Sequence, residues 1–250
     1  MKLEEITDKR SARSGPASKR WYDDACGTAM AMELVGERWS LLIVRELMFG
    51  PRRFGEIRLA LGGISANVLT QRLEGLERSG IVVRSKLPPP ASVQVYGLTE
   101  WGYESEVVIR DLGRWAARSP AHDPTLPLSP ASIMLSFRTM FTPARADGLN
   151  ATVGFRFGSE SFVGRIDPAW IHVIRDDPTD ADLVFVTDPM TLASIVYAGR
   201  PIADAEAAGT LAVTGDRELA ERFLTLFVLP EKADVAASGT VLGTLPQARE

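Results

Sequence analysis

Residues 54–86 read FGEIRLALGGISANVLTQRLEGLERSGIVVRSK, two short helical periods that meet at Gly62-Gly63. In the second, Leu69, Leu73 and Leu76 stand at i, i+4 and i+7, a spacing that puts them on one buried stripe. At about 100° per residue, Asn67, Thr70, Gln71, Glu74 and Arg78 fall on the opposite face. Ser65 stands where an N-cap belongs. Upstream, Phe54, Ile57 and Leu61 give a first short helix its core stripe, and Gly62-Gly63-Ile64 is a turn of helix-turn-helix length. Gly80 matches a C′ glycine, and after it the runs IVVRSKL and SVQVYGL flank PPPA as a hairpin, a wing. The outer face of the second helix is short, polar and rich in Asn, Thr and Gln. Asn or Gln can bond adenine in bidentate fashion, and a helix N-terminus favours phosphate. A solvated helix face gives the same periodicity. The order helix, glycine turn, helix, hairpin decides for DNA.

Outward from this stretch, a chain of 250 residues with ordinary composition has room for one or two domains with real cores. No run of about 18 apolar residues exists, so no membrane span is expected. Residues 1–19 lack an apolar h-region and are expected to form a flexible polar tail rather than a secretory signal. The single cysteine, Cys26, excludes an internal disulfide framework and fits a reducing compartment. Net charge is −4, but residues 1–120 hold 18 basic and 15 acidic side chains (+3), and residues 121–250 hold 10 and 17 (−7). Such asymmetry suggests two modules with different partners, although surface drift can produce it too.

Residues 119–130, SPAHDPTLPLSP, carry four prolines and no hydrophobic period, which is a linker composition. Beyond it come a helical patch at 131–141 and strand-like runs at 150–157, 161–166, 170–175 and 182–187. A helix near 189–198, a strand near 210–214 and a helix over 216–228 complete the pattern. The fold class is therefore α+β, with an N-terminal module at 20–118 and a second at 131–246.

The segment from Cys26 through GERWSLLIVREL, RRFGEI, GGIS and VLTQRLEGLERSGIV to YGLTEWG resembles the HxlR-type winged-helix transcription regulators over about residues 22–118. The resemblance implies a cytoplasmic homodimer on a pseudo-palindromic double-stranded operator, with recognition helices in successive major grooves. It implies a repressor in which Ser65, Asn67, Thr70 and Gln71 occupy the exposed first turns of the recognition helix. Arg52 and Arg53 would meet backbone phosphates, and Arg84 and Lys86 lie on the wing strands. Arg72 falls nearer the core stripe and is not expected at bases. The helix over 100–117, with Val108, Leu112 and Trp115 on one stripe, is the expected dimerisation element. The wing departs from the pattern, being proline-rich at Pro88-Pro89-Pro90 with no basic residue at its tip, which argues against a minor-groove contact.

Members of that family often carry a cysteine at the place of Cys26, and some use it to sense oxidants or electrophiles. Asp23 and Asp24 before it would raise its pKa, whereas Arg20 and the helix start would lower it. Lone cysteines are most often inert buried residues, and that reading is preferred.

The second module, from VGFRFGSESFVGRIDPAWIHVIRD through YAGRPI to GTLAVTGDRELAERFLTLF, resembles sterol-carrier-protein-like domains. The resemblance implies a five-stranded, mainly antiparallel sheet covered by helices, with an apolar tunnel between them for a small hydrophobic ligand. Phe141, Trp170, Met190, Tyr197, Phe223 and Phe227 are the candidate lining, against the alternative that such residues are plain core. His172, in an apolar strand, reads as a satisfied core or edge histidine. No HExxH, GxxxxGK[ST], GxSxG or CxxC is present, so no enzyme, metal or cofactor is expected. Two functions remain, ahead of a third in which the second module is a lipid carrier or enzyme-like module tethered to DNA. In one, the second module binds an apolar effector that controls DNA binding. In the other, it is only a dimerisation scaffold, and control runs through Cys26 or is absent.

Overall fold

The computed structural model describes residues 22–234; the expected tail at 1–19, Arg20 and the last residues of the 131–246 module lie outside that range. The first half is helical. α1 (Gly27–Val35) and α2 (Ser40–Leu47) precede the helix-turn-helix, formed by α3 (Phe54–Leu61) and α4 (Ala66–Arg78). Ile57, Leu61, Leu69, Leu73 and Leu76 are buried as their spacing demands, and they meet Ile43, Val44 and Leu47 of α2. The turn between α3 and α4 needs glycine, because Gly62 and Gly63 have φ of 46° and 77°. Ser65 caps α4, its Oγ accepting from the Val68 N–H at 3.3 Å, and Gly80 at φ 73° reverses the chain after it. The wing follows as β1 (Val82–Lys86) paired antiparallel with β2 (Gln94–Leu98).

Thr99 then caps α5 (Glu100–Ala117), accepting from the Gly102 N–H and donating to the Gly80 carbonyl at 2.7 Å. Residues 119–129 follow without regular structure. The second half begins with α6 (Pro130–Met140) and the single turn α7 (Pro143–Ala146). Its sheet contains β3 (Ala151–Phe157), β4 (Glu160–Ile166), β5 (Ile171–Ile174), β6 (Leu183–Thr187) and β7 (Leu211–Gly215), in the order β5-β4-β3-β6-β7. Only the β3–β6 pair is parallel. Between β6 and β7 lie α8 (Pro189–Ala198) and α9 (Ile202–Ala207), and α10 (Arg217–Leu224) closes the element order. The sequence reading missed α9, whose six residues are too short to show a period. It also drew the last helix too long. After α10 the chain leaves the helix, and Phe227 forms a bridge with Phe141.

One face of the sheet turns Val153, Phe155, Phe162, Ile171 and Phe185 inward, where they meet Phe137 of α6 and Phe223 of α10. These apolar groups and the winged-helix core belong to one continuous cluster. α6 makes the join. It packs on α2 and α5 from one side and on β5 and α8 from the other. The rest of the seam is polar and aromatic. Phe49 stands edge-on to Phe162 at 5.6 Å, Arg138 of α6 bonds Glu106 of α5 at 2.6 Å, and Arg110 of α5 lies 4.0 Å over the Trp170 ring. Residues 231–233 run back to the end of α5, where Ala233 donates to the Arg118 carbonyl at 2.7 Å. The Pro-rich stretch therefore connects two halves that are packed together, although its composition is that of a spacer.

Candidate nucleic-acid interface

α4 presents the polar face that its period predicts. Asn67, Thr70 and Gln71 are exposed, while Leu69, Leu73 and Leu76 on the opposite stripe are shut away from water. The three polar side chains are therefore free of structural duty in the core. Arg72 is tied down instead, as the sequence suggests. Its Nε donates to the Arg38 carbonyl at 3.1 Å and its Nη2 meets Glu37 at 2.8 Å, so it braces α4 against the turn between α1 and α2. That turn is strained at Trp39, a bulky residue at φ 81°. Ser65 spends its hydroxyl on the cap.

The two arginines before α3 separate. Arg53 is exposed, its backbone N–H donating to Glu56 Oε2 at 2.8 Å and its Nε 3.9 Å from Glu56 Oε1, so its guanidinium is available to a phosphate. The expectation for Arg52 is corrected. Only 5% of Arg52 is exposed, and its Nη1 and Nη2 bond Glu46 at 3.2 Å and Glu160 at 2.8 Å. A buried guanidinium with two carboxylate partners holds the halves of the protein together and cannot reach DNA. Arg84 is exposed but held by Glu77 at 2.8 Å, which raises its pKa further; Lys86 is exposed on β1.

Sequence reasoning missed the group beneath Arg52. Glu46 is fully buried, and accepts from Arg45 at 2.9 Å, Arg52 and the Ser129 hydroxyl at 2.6 Å. One signal was present: Glu46 follows Ile43 by three residues, which places a carboxylate on the core stripe of α2. Its partners Ser129 and, through Arg52, Glu160 are far off in sequence, and no local pattern shows them.

On α5, the expected stripe is open to solvent, with Val108 62%, Leu112 43% and Trp115 69% exposed. α1 is apolar yet buries none of its residues. Cys26 stands at the N-cap position of α1 and is exposed, which corrects the expectation that it is buried. Its pKa is lowered by hydrogen bonds from the backbone and hydroxyl of Thr28 and from the backbone of Ala29, at the start of the helix. Asp24, expected to raise it, instead accepts from the Cys26 N–H at 2.9 Å.

The six residues expected to line a tunnel fall in different surroundings. Phe227 stacks on Phe137 at 4.4 Å and meets Phe223 at 4.9 Å, and Phe141 joins the same cluster. These three are core, filled by their own neighbours. Trp170 lies against Arg110 at the seam. Tyr197 bonds Ser136 at 2.7 Å between α8 and α6, and burial pushes its hydroxyl pKa up; Met190 is half-buried in the first turn of α8. His172 is exposed on β5, an edge strand of the sheet, beside Asp167 at 3.4 Å, which fits the edge histidine expected there. Among the described residues, no group of three or more His, Cys, Asp or Glu side chains is placed to hold a metal, and no helix is long and apolar enough to cross a membrane.

The comparisons with known proteins bear on the first half. The family model described as HxlR-like helix-turn-helix matches residues 34–123. The HTH-type transcriptional regulator YodB of Bacillus subtilis is 41% identical over 86 residues, 34% of this chain and 77% of YodB. YvaP of the same organism, an uncharacterized HTH-type transcriptional regulator, is 36% identical over 86 residues, 34% of this chain and 80% of YvaP. The solved reduced form of YodB shares 36% identity over 40% of this chain and 100% of that chain, with a TM-score of 0.36.

Proposed function

Because the chain belongs to the HxlR-like helix-turn-helix family of transcriptional regulators, we propose that it is a cytoplasmic repressor that binds double-stranded DNA as a homodimer. α4 enters the major groove, and Asn67, Thr70 and Gln71 face base edges. Arg53 anchors a phosphate at the start of α3. Two copies joined through α5 and α1 place their recognition helices about one helical turn, roughly 34–36 Å, apart. The observation that carries the reading is the division of α4 into a sealed leucine stripe and an unencumbered Asn-Thr-Gln face. The second half, with its five-stranded sheet resembling sterol-carrier-like domains, takes a small apolar effector that alters DNA affinity. No catalytic role is assigned to it.

The experiment measures affinity for selected and random DNA. Base contacts specify and phosphate contacts position. Asn67→Ala and Gln71→Ala should each lose about 1–3 kcal/mol of discrimination, while Arg53→Ala weakens both DNAs alike. Equal losses on both DNAs for all three variants would refute the assignment.

The exposure of Cys26 and its lowered pKa favour a second reading, control by thiol oxidation or alkylation. A lowered pKa populates the thiolate at lower pH, and the thiolate is the nucleophile. Alkylation of Cys26 should therefore accelerate at a pH below that of a free cysteine peptide. DNA binding by wild type should fall on alkylation, while Cys26→Ser is spared. A pH–rate profile that matches the free peptide, or equal loss in both proteins, would remove this reading.

A further inference from the structure

An open cleft of about 1090 Å³ lies between the α3–wing side of the first half and the β3–β4 hairpin of the second. Leu59, Leu61, Leu87 and Leu128 supply apolar wall, and Arg52, Ser129, Glu160 and Arg175 line its charged side. Three guanidinium groups, Arg45, Arg52 and Arg175, share the two carboxylates Glu46 and Glu160. The cluster thus holds one cation more than it has anions. The surplus sits on Arg175. Its Nη1 bonds Glu160, but Nε and Nη2 are buried with no acceptor among the described residues. Those two donors form the side-on edge that takes a carboxylate in bidentate fashion. Buried donors without acceptors are uncommon in folded proteins. Three further acidic groups line the cleft, each with donors of its own: Glu56 accepts from the Arg53 N–H, Asp176 from the Asp177 N–H, and Asp177 from Arg156 and Thr179.

We propose that this cleft, rather than the interior of the second half, is the effector site, and that its ligand is an amphipathic carboxylate. The carboxylate engages the free edge of Arg175, and the apolar body lies on the leucines. The inference rests on the effector reading above and names its place and chemistry. It also supplies the link to DNA. Glu160 bridges Arg175 to Arg52, and Arg52 precedes Arg53 at the start of α3. A head group on the free edge leaves Nη1 on Glu160 and brings a second negative charge beside that carboxylate, and so disturbs the arginine beside the phosphate anchor.

The test uses the full chain and three probes with the same tail: dodecanoate, dodecanol and dodecyltrimethylammonium, all below micelle-forming concentrations and titrated calorimetrically. Dodecanoate should bind saturably and at least about tenfold more tightly than the other two, since hydrogen bonds to charged groups are the stronger kind. Arg175→Gln should remove that preference. Ser159→Trp, at an exposed hairpin position lining the cleft, should block all uptake without touching the charge cluster. Dodecanoate and operator DNA should change each other's affinity by the same factor. Equal binding of the three probes sinks the carboxylate. Dodecanoate binding that both variants leave intact sinks the cleft, while the effector reading survives. No saturable binding of any probe sinks both.

Discussion

Glu46→Ala should lose about 3–5 kcal/mol of stability, the usual cost of removing one partner from a buried ion pair. The carboxylate has no exposure, and Arg45, Arg52 and the Ser129 hydroxyl all converge on it. Without it, the Arg52 guanidinium keeps only Glu160, and Ser129 loses its charged acceptor. For a chain of this size the melting temperature should fall by roughly 6–20 °C. Arg52→Ala should produce a loss of similar kind, and the double variant should lose less than the sum, because the two act on one network. Chemical denaturation measures all three. A loss under about 1 kcal/mol for Glu46→Ala would mean that the junction tolerates an unpaired guanidinium, contrary to this account.

The other large effect concerns assembly. Leu112→Glu combined with Trp115→Glu should convert the proposed dimer to a monomer and reduce operator affinity by about a hundredfold to ten-thousandfold, the advantage that linking two binding units confers. Both residues are exposed in the single chain, so the fold of the variant should be unchanged by circular dichroism. Sedimentation and DNA titration check the two halves of the statement. A variant that stays dimeric would show that another surface joins the copies. A monomer that binds operator as tightly as wild type would show that pairing is not needed.

The winged helix was legible because its determinants are local. A leucine stripe, a serine cap, two glycines at positive φ and a proline-interrupted hairpin each declare themselves within a few residues, and the structure places them as read. The exposed polar face of α4 followed from the same period. What remained hidden is non-local. Arg52 reads like Arg53 in sequence, and only the carboxylates of Glu46 and Glu160, supplied by other elements, distinguish the buried one from the free one. The aromatic residues of the second half posed the opposite difficulty. Their spacing cannot tell a lined cavity from a filled one, and Phe137, which was not singled out, fills the space between them. The exposure of Cys26 was not legible either, nor that the backbone turns Asp24 onto the cysteine's own N–H.

The Pro-rich stretch at 119–130 looks like a natural breakpoint for recombination, where one DNA-reading head could be traded for another. The seam forbids so simple an exchange. α6 belongs to both halves, and Phe49, Glu106, Arg110 and Arg52 of the head each have a matching group on the other side. A transplanted head would have to bring all of these with it. A chimera joined only at the stretch would leave the apolar side of α6 bare and Glu160 without its arginine. Grafts that do function should therefore keep both sides of the seam together, from α2 through β5, as one inherited block.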